Sequence, residues 1–271
     1  MYLPESFYHV DSKMTFGRLK YAENKESPVT GFVTQYIDCS KSLRVYLGGG
    51  IYGEMPIDEA TIYDLYKSNR INLSPNITYL IGETVRVRVM YTCQAAGIVR
   101  LSRKQHMLSA LEVLSCATKF NNAVVSSISH PVAYIDVGAG LLGRILPKEM
   151  SGCTFSDLED DVNLRVGDTL KVSVLEYNSF LKKFELSRVK ALPPLENVVA
   201  PGDIVVCRIF DKVPNQENDS RGIGFFVTIN DYLPGILDSP TELDYGSTVV
   251  ATVKKTTELG AKLNFMRLLT L

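Results

Sequence analysis

Apolar and polar residues alternate with period two through most of this chain, and the alternation comes in blocks that look alike. In HPVAYIDVGAGLLGRILPKEM (130–150) an apolar run, Val132, Tyr134 and Val137, breaks at Gly138 and Gly140. A second apolar run follows and ends at Pro147. This is the pattern of a β-hairpin leading into a helix start. KSLRVYLGGGIYGEMPIDEA (41–60) and IGFFVTINDYLPGILDSPTE (223–242) repeat the shape. The matching glycines are Gly53, Gly143 and Gly235, separated by 90 and 92 residues, a period that predicts tandem copies of one domain.

The flanks repeat too. A strand precedes each hairpin: VTGFVTQYI (29–37), NNAVVSSIS (121–129) and GDIVVCRIF (202–210). A glycine-led strand follows each: IGETVRVRVMY (81–91), VGDTLKVSVLEY (166–177) and YGSTVVATVKK (245–255). GIVRLSRK (97–104), LKKFELSRVK (181–190) and AKLNFMRLLTL (261–271) close the copies. Five short strands with an insert after the third predict an all-β chain of three tandem five-stranded OB-fold barrels. The first insert is the longest, and it sets Tyr63 and Tyr66 on one helical face.

The predicted boundaries are an extension over 1–26, barrels over 27–104, 118–190 and 201–271, a helical linker over 105–117, and a Pro-rich linker over 191–200. Met107, Leu108, Leu111 and Leu114 recur at helical spacing, so the first linker should pack between barrels one and two. ALPPLENVVAPGD (191–203) should run extended. Residues 1–26 are either a partly ordered extension or an element docked on the first barrel.

Composition narrows the function. The net charge of −1 gives no global attraction to a polyanion or a membrane. Five scattered cysteines without a CxxC pair, no signal-length apolar segment, and no run near the ~20 apolar residues of a membrane span lead to the expectation of a cytoplasmic chain with free thiols. No cofactor or metal is expected. DLEDD (157–161) reads as a solvated acidic loop, and His9, His106 and His130 share no motif. LGGGIYG (47–53) lacks the GK[ST] of a phosphate loop. With no nucleophile or metal-ligand signature in view, a non-enzyme is expected.

GDTLKVSVLEYNSFLKKFELSRVK, together with AYIDV (133–137), GRILPKEM (143–150) and GIVRLSRK (97–104), resembles the S-one-type RNA-binding domain. That domain is the OB-fold repeat of the large ribosomal protein of the bacterial small subunit. The resemblance covers about 27–271 and is clearest in the second copy; the third has a longer first loop, 212–222. It implies a face on strands two and three that stacks bases on two aromatics, aided by a histidine and a fifth-strand base. By position, the second aromatic falls on Arg44, Tyr134 and Phe226. The first falls on Lys41, Pro131 or Val132, and Ile223. The histidine falls on Pro56, Leu146 and Asp238, and the fifth-strand basic residue on Ile98, Lys183 and Lys262. No copy has the whole set, and the first replaces stacking with the charges of Lys41 and Arg44.

Charge then ranks the copies. Residues 27–104 carry nine Lys/Arg against six Asp/Glu, 116–190 nine against nine, and 198–271 seven against nine. The first barrel, with Arg86, Arg88, Arg100, Arg103 and Lys104, should attract a polyanion most. The candidate nucleic-acid contacts are Lys41, Arg44, Arg86, Arg88, Arg103, Tyr134, Arg144, Lys148, Lys183, Phe226 and Lys262. The plain alternative makes Tyr134 and Phe226 ordinary barrel residues and Arg86 and Arg88 a solvated face. The expected partner is single-stranded RNA such as mRNA, in translation or mRNA handling. The rival expectation is a scaffold docking on a ribosome, a polymerase or another nucleoprotein assembly with a decayed RNA face. No membrane partner is expected.

Overall fold

A computed structural model describes residues 2–63, 78–129, 131–151, 164–213, 222–230, 233–257 and 260–269. Tyr66, His130, Cys153, the DLEDD carboxylates and most of the 212–222 loop lie outside the described residues.

Fifteen strands close into three barrels of five. The first holds β1 (Pro28–Ile37), β2 (Ser42–Gly48), β3 (Ile51–Pro56), β4 (Thr84–Cys93) and β5 (Ile98–Ser102). The second holds β6 (Lys119–Ser129), β7 (Val132–Gly138), β8 (Leu141–Ile145), β9 (Thr169–Asn178) and β10 (Lys183–Ser187). The third holds β11 (Ile204–Lys212), β12 (Ile223–Ile229), β13 (Leu233–Ser239), β14 (Thr248–Thr257) and β15 (Gly260–Leu268). In each barrel strands one, two and three pair antiparallel, three pairs five in parallel, and four pairs both one and five. This is the OB-type closure that the strand order predicts.

The repeated glycine has a packing reason. It stands on the inward side of the third strand, where the fifth strand's leucine fills the barrel. A Cβ on Gly53 would sit 2.6 Å from Leu101 Cδ1, and one on Gly143 would sit 2.3 Å from Leu186 Cδ1. On Gly235 the gap to Leu263 Cδ1 would be 3.2 Å. Leu101, Leu186 and Leu263 are all buried. A large side chain facing a glycine is how a small closed barrel fills its interior.

The first linker is a helix, α2 (Arg103–Leu114), which starts two residues earlier than its apolar spacing predicts. Ser102 caps it, its hydroxyl accepting from the Gln105 N–H at 3.0 Å. Met107, Ala110 and Leu114 are buried with the core of barrel two, while Leu108 and Leu111 pack on it partly covered.

The N-terminal segment docks on both neighbouring barrels. Helix α1 (Phe16–Asn24), capped by Thr15, buries Leu19 and Ala22 in the core of barrel one. Ahead of it, the 3-10 turn Glu5–Phe7 buries Glu5. Glu5 binds the fully buried Arg103, with Oε2 2.6 Å from Nη2. Its Oε1 also accepts the Arg86 N–H, and its own N–H reaches Asp136 Oδ2 at 2.9 Å. Arg103 further donates to the Ala60 carbonyl. Asp136 Oδ1 accepts the N–H groups of Gly138 and Gly140. This accounts for the glycine pair of barrel two: a Cβ on Gly140 would meet Arg103 Nη2 at 1.9 Å, and its φ is +73°. One residue, Glu5, therefore ties the N-terminus, strand β4 and helix α2 together through its carboxylate and the β7–β8 hairpin through its N–H.

Because both charges are buried, losing one partner strands the other. Glu5→Ala and Arg103→Met should each lower unfolding free energy by about 3–5 kcal/mol in denaturant titrations. The double variant should lose less than the sum, since neither charge is then left alone.

His106 provides a pH test. It packs on Tyr2 with ring centroids 5.5 Å apart, and burial, then Arg86, Arg88 and Arg103, push it down to about 4. The unfolded chain takes up the proton below about pH 6.5 and the folded chain does not, so stability falls as pH drops from there toward 4. Asp136 acts in the opposite direction, since burial and the Glu5 carboxylate hold it above the ordinary carboxylate range. His106→Phe should remove up to about 2 kcal/mol of the stability difference between pH 7 and pH 5 in urea titrations.

Candidate nucleic-acid interface

Strand register defines equivalent outward positions in the three barrels. Each barrel carries a row of four residues, one from each of strands one, two, three and five. In barrel one the row is Gln35–Arg44–Glu54–Arg100. In barrel two it is Ser127–Tyr134–Arg144–Glu185. In barrel three it is Asp211–Phe226–Ile236–Lys262. Cross-strand partners share a face, so each row is a strip of outer surface. Arg44, Tyr134 and Phe226 hold the same place, as their alignment expects.

The first strand also carries a bulge at the same point in each barrel, occupied by Thr34, Ser126 and Phe210. Thr34 and Ser126 use it alike. Their hydroxyls donate to the Arg44 and Tyr134 carbonyls, both at 3.1 Å. Phe210 instead lies over Phe226, with centroids 6.1 Å apart and planes 24° from parallel. A groove of about 700 Å³ opens beside this pair. Asp211, Pro234, Ile236 and Lys262 are among its walls. Bulges re-aim side chains at sites of this kind.

In barrel one, Arg44 does not stand alone. Its guanidinium lies 4.4 Å above the Tyr52 ring, and Tyr46 packs 5.2 Å from Tyr52. The face therefore has aromatics that the alignment missed, because they are offset along the strands from the family positions. The pattern Arg44-x-Tyr46 places both residues on one side of β2, and that alternation carried the signal. Lys41 sits in the β1–β2 turn at φ +46°, its ammonium 2.5 Å from Asp38.

In barrel two, Lys183 Nζ lies 5.9 Å from the Tyr134 ring and 5.7 Å from that of Tyr63. Tyr63 belongs to barrel one and accepts the Leu142 N–H at 2.6 Å, and burial raises its hydroxyl pKa. Arg144 is paired with Glu185 at 2.5 Å. Lys148 is exposed on the short helix α3 (Pro147–Ser151).

Three candidate residues lie elsewhere. Arg103 is fully buried against Glu5, so it is a structural residue and not an interface one. Arg86 is covered by the N-terminal segment: its guanidinium is 4.3 Å from the Tyr8 ring and donates to Thr30. Arg88 bonds Ser109 of α2 and Glu26. Arg86 and Arg88 do share a face, but α2 and the N-terminus cover it. The fifth-strand alignment also slips. Lys262 is the counterpart of Arg100 and Glu185, whereas Ile98 and Lys183 lie two residues before theirs.

Among the described residues, no group of His, Cys, Asp and Glu is arranged to hold a metal, and no helix is long and apolar enough to cross a membrane.

No protein-family model and no curated protein sequence matches the chain. Among solved structures it is similar to a multidomain protein with nucleic acid binding domains from Streptococcus pneumoniae. That match has 14% identity and a TM-score of 0.25, over 88% of this chain and 72% of that one. It is also similar to the apo form of Mycoplasma genitalium RNase R, at 10% identity and a TM-score of 0.27, over 55% of this chain. This chain spans 21% of the length of that ribonuclease.

Placement sorts the cations by role. Arg86→Ala should lower stability by about 1–2 kcal/mol through the lost ring contact and hydrogen bond. Lys41→Ala, which breaks an exposed pair, should stay within about 0.5 kcal/mol in the same urea titration.

Proposed function

We propose that the chain is a non-catalytic RNA-binding protein that holds unpaired RNA on the outer rows of its barrels, acting in translation or mRNA handling in the cytoplasm. The observation that carries this reading is the third barrel's row. Phe210 and Phe226 form a stacking platform, the groove beside it is apolar, and Lys262 stands one strand beyond Ile236. Phe210 and Phe226 are half-buried, Phe210 also packing on the core of barrel two, and an aromatic pair at a groove with a cation in the same row suits an unpaired base and its phosphate. Barrel one supports the reading with Arg44 over Tyr52 and with Arg100 in the same row. Three weak sites on one chain gain affinity by effective concentration.

A second reading, a scaffold docked on a nucleoprotein assembly, is favoured by one feature of barrel three. Ile204 and Val206, alternate residues at the start of β11, are 66% and 48% exposed.

Fluorescence anisotropy with labelled single-stranded RNA, at low and near-physiological salt, separates the two. Under the first reading wild type binds and weakens steeply with salt. Phe226→Ala should lose about 5- to 150-fold in affinity, and Lys262→Ala should reduce the salt slope. Absence of binding at low salt would remove the first reading and leave the second.

A further inference from the structure

We propose that the groove of barrel three is selective for guanine, with Asp211 as the residue that reads the base. The inference rests on the RNA-binding reading and adds a specificity to it.

The starting point is a carboxylate where a polyanion would bind. Asp211 is the first member of the row Asp211–Phe226–Ile236–Lys262, next to the platform on the same outer face. It is exposed, and it forms part of the groove wall. The matching positions in barrels one and two are the neutral Gln35 and Ser127. The acid therefore appears in the one barrel whose bulge residue is aromatic. Next to a phosphate it would only repel. Next to a base edge it can accept hydrogen bonds.

Its surroundings leave it free to do so. Oδ1 accepts the Lys212 N–H at 2.7 Å, which orients the carboxylate, and among the described residues Oδ2 has no hydrogen-bond donor. The Lys212 ammonium is engaged with Glu242 at 3.0 Å. Lys262 stands at the other end of the row. Among the described residues Asp211 has no cationic partner. Asp211 and Lys262 thus bracket the phenylalanine pair, one suited to the base edge and the other to the backbone.

An ionised carboxylate only accepts, so the base that fits must present adjacent donors. Guanine does, through N1–H and the 2-amino group, and can pair with both carboxylate oxygens. Adenine and cytosine place an acceptor beside their amino group, and uracil flanks its single N–H with two carbonyls. Each of those three sets a lone pair against the carboxylate. A bidentate base contact discriminates by about 5- to 150-fold.

The test uses the full chain and labelled eight-nucleotide oligouridylate, alone or with one central G, A, C or inosine. Inosine stacks as guanine does but lacks the 2-amino group. The expected result is that the G strand binds about 5- to 150-fold more tightly than the U strand, with inosine in between. Asp211→Asn offers one acceptor and one donor. It should abolish the guanine preference and shift it toward A or C. If wild type binds all five strands equally, or the variant keeps the guanine preference, the specificity is overturned while RNA binding stands. If no strand binds at low salt, RNA binding fails and the proposal fails with it.

Discussion

The buried pair of Glu5 and Arg103 is the contact on which the arrangement of the first two barrels depends. A charge taken out of water has to be met on every side. Here Arg103 is met by both oxygens of Glu5 and by the Ala60 carbonyl. Glu5 in turn holds the Arg86 backbone and the Asp136 carboxylate. The participants come from the N-terminal segment, strand β4, helix α2 and the hairpin of barrel two. No one of these elements can move without breaking a bond to a buried charge. The N-terminal residues outside the repeat thereby become the clamp between two of its copies. Most of the basic surface that charge counting assigned to the first barrel is used up in this junction.

The barrels themselves separate packing from chemistry. Inward positions obey one rule in all three: glycine on the third strand, leucine on the fifth, and β-branched or aliphatic residues elsewhere. Close packing leaves little freedom there. Outward positions have none of these constraints, and the three rows have diverged to a charged strip, a tyrosine with an ion pair, and an aromatic platform. The bulge on the first strand shows the same division. Its backbone irregularity is shared, while its side chain is a hydroxyl bonded to the neighbouring strand in two barrels and a stacking ring in the third.

The three rows do not carry the same chemistry. In barrel two, Arg144 is tied to Glu185, and Lys183 lies within reach of two tyrosine rings. In barrel one the arginine and two tyrosines lie in contact with one another. Barrel three has an open groove beside its row despite carrying the most acidic charge balance of the three. Net charge per domain therefore ranked the barrels differently from their surfaces. Which charges face outward matters more for an encounter with a polyanion than how many there are.

The sequence by itself determined the architecture. Period-two alternation, the recurring glycines and strand lengths leave one economical solution, three closed five-stranded barrels, because alternation is a local consequence of one buried face. It also placed Arg44, Tyr134 and Phe226 at equivalent positions, since those lie at fixed distances from the repeated glycine. Only the tertiary structure decided the rest. A slip of two residues keeps every side chain on its face, so alternation cannot reveal it, and Lys262 was matched to the wrong counterparts. Whether Arg86, Arg88 and Arg103 meet water or protein depends on a segment some sixty to one hundred residues earlier and, for Arg88, also on helix α2, and no local pattern records that. Phe210 reads as one more apolar strand residue until the bulge turns it outward onto Phe226. Strands are legible because their cause is local; the site is not, because it forms only where distant strands are brought into register.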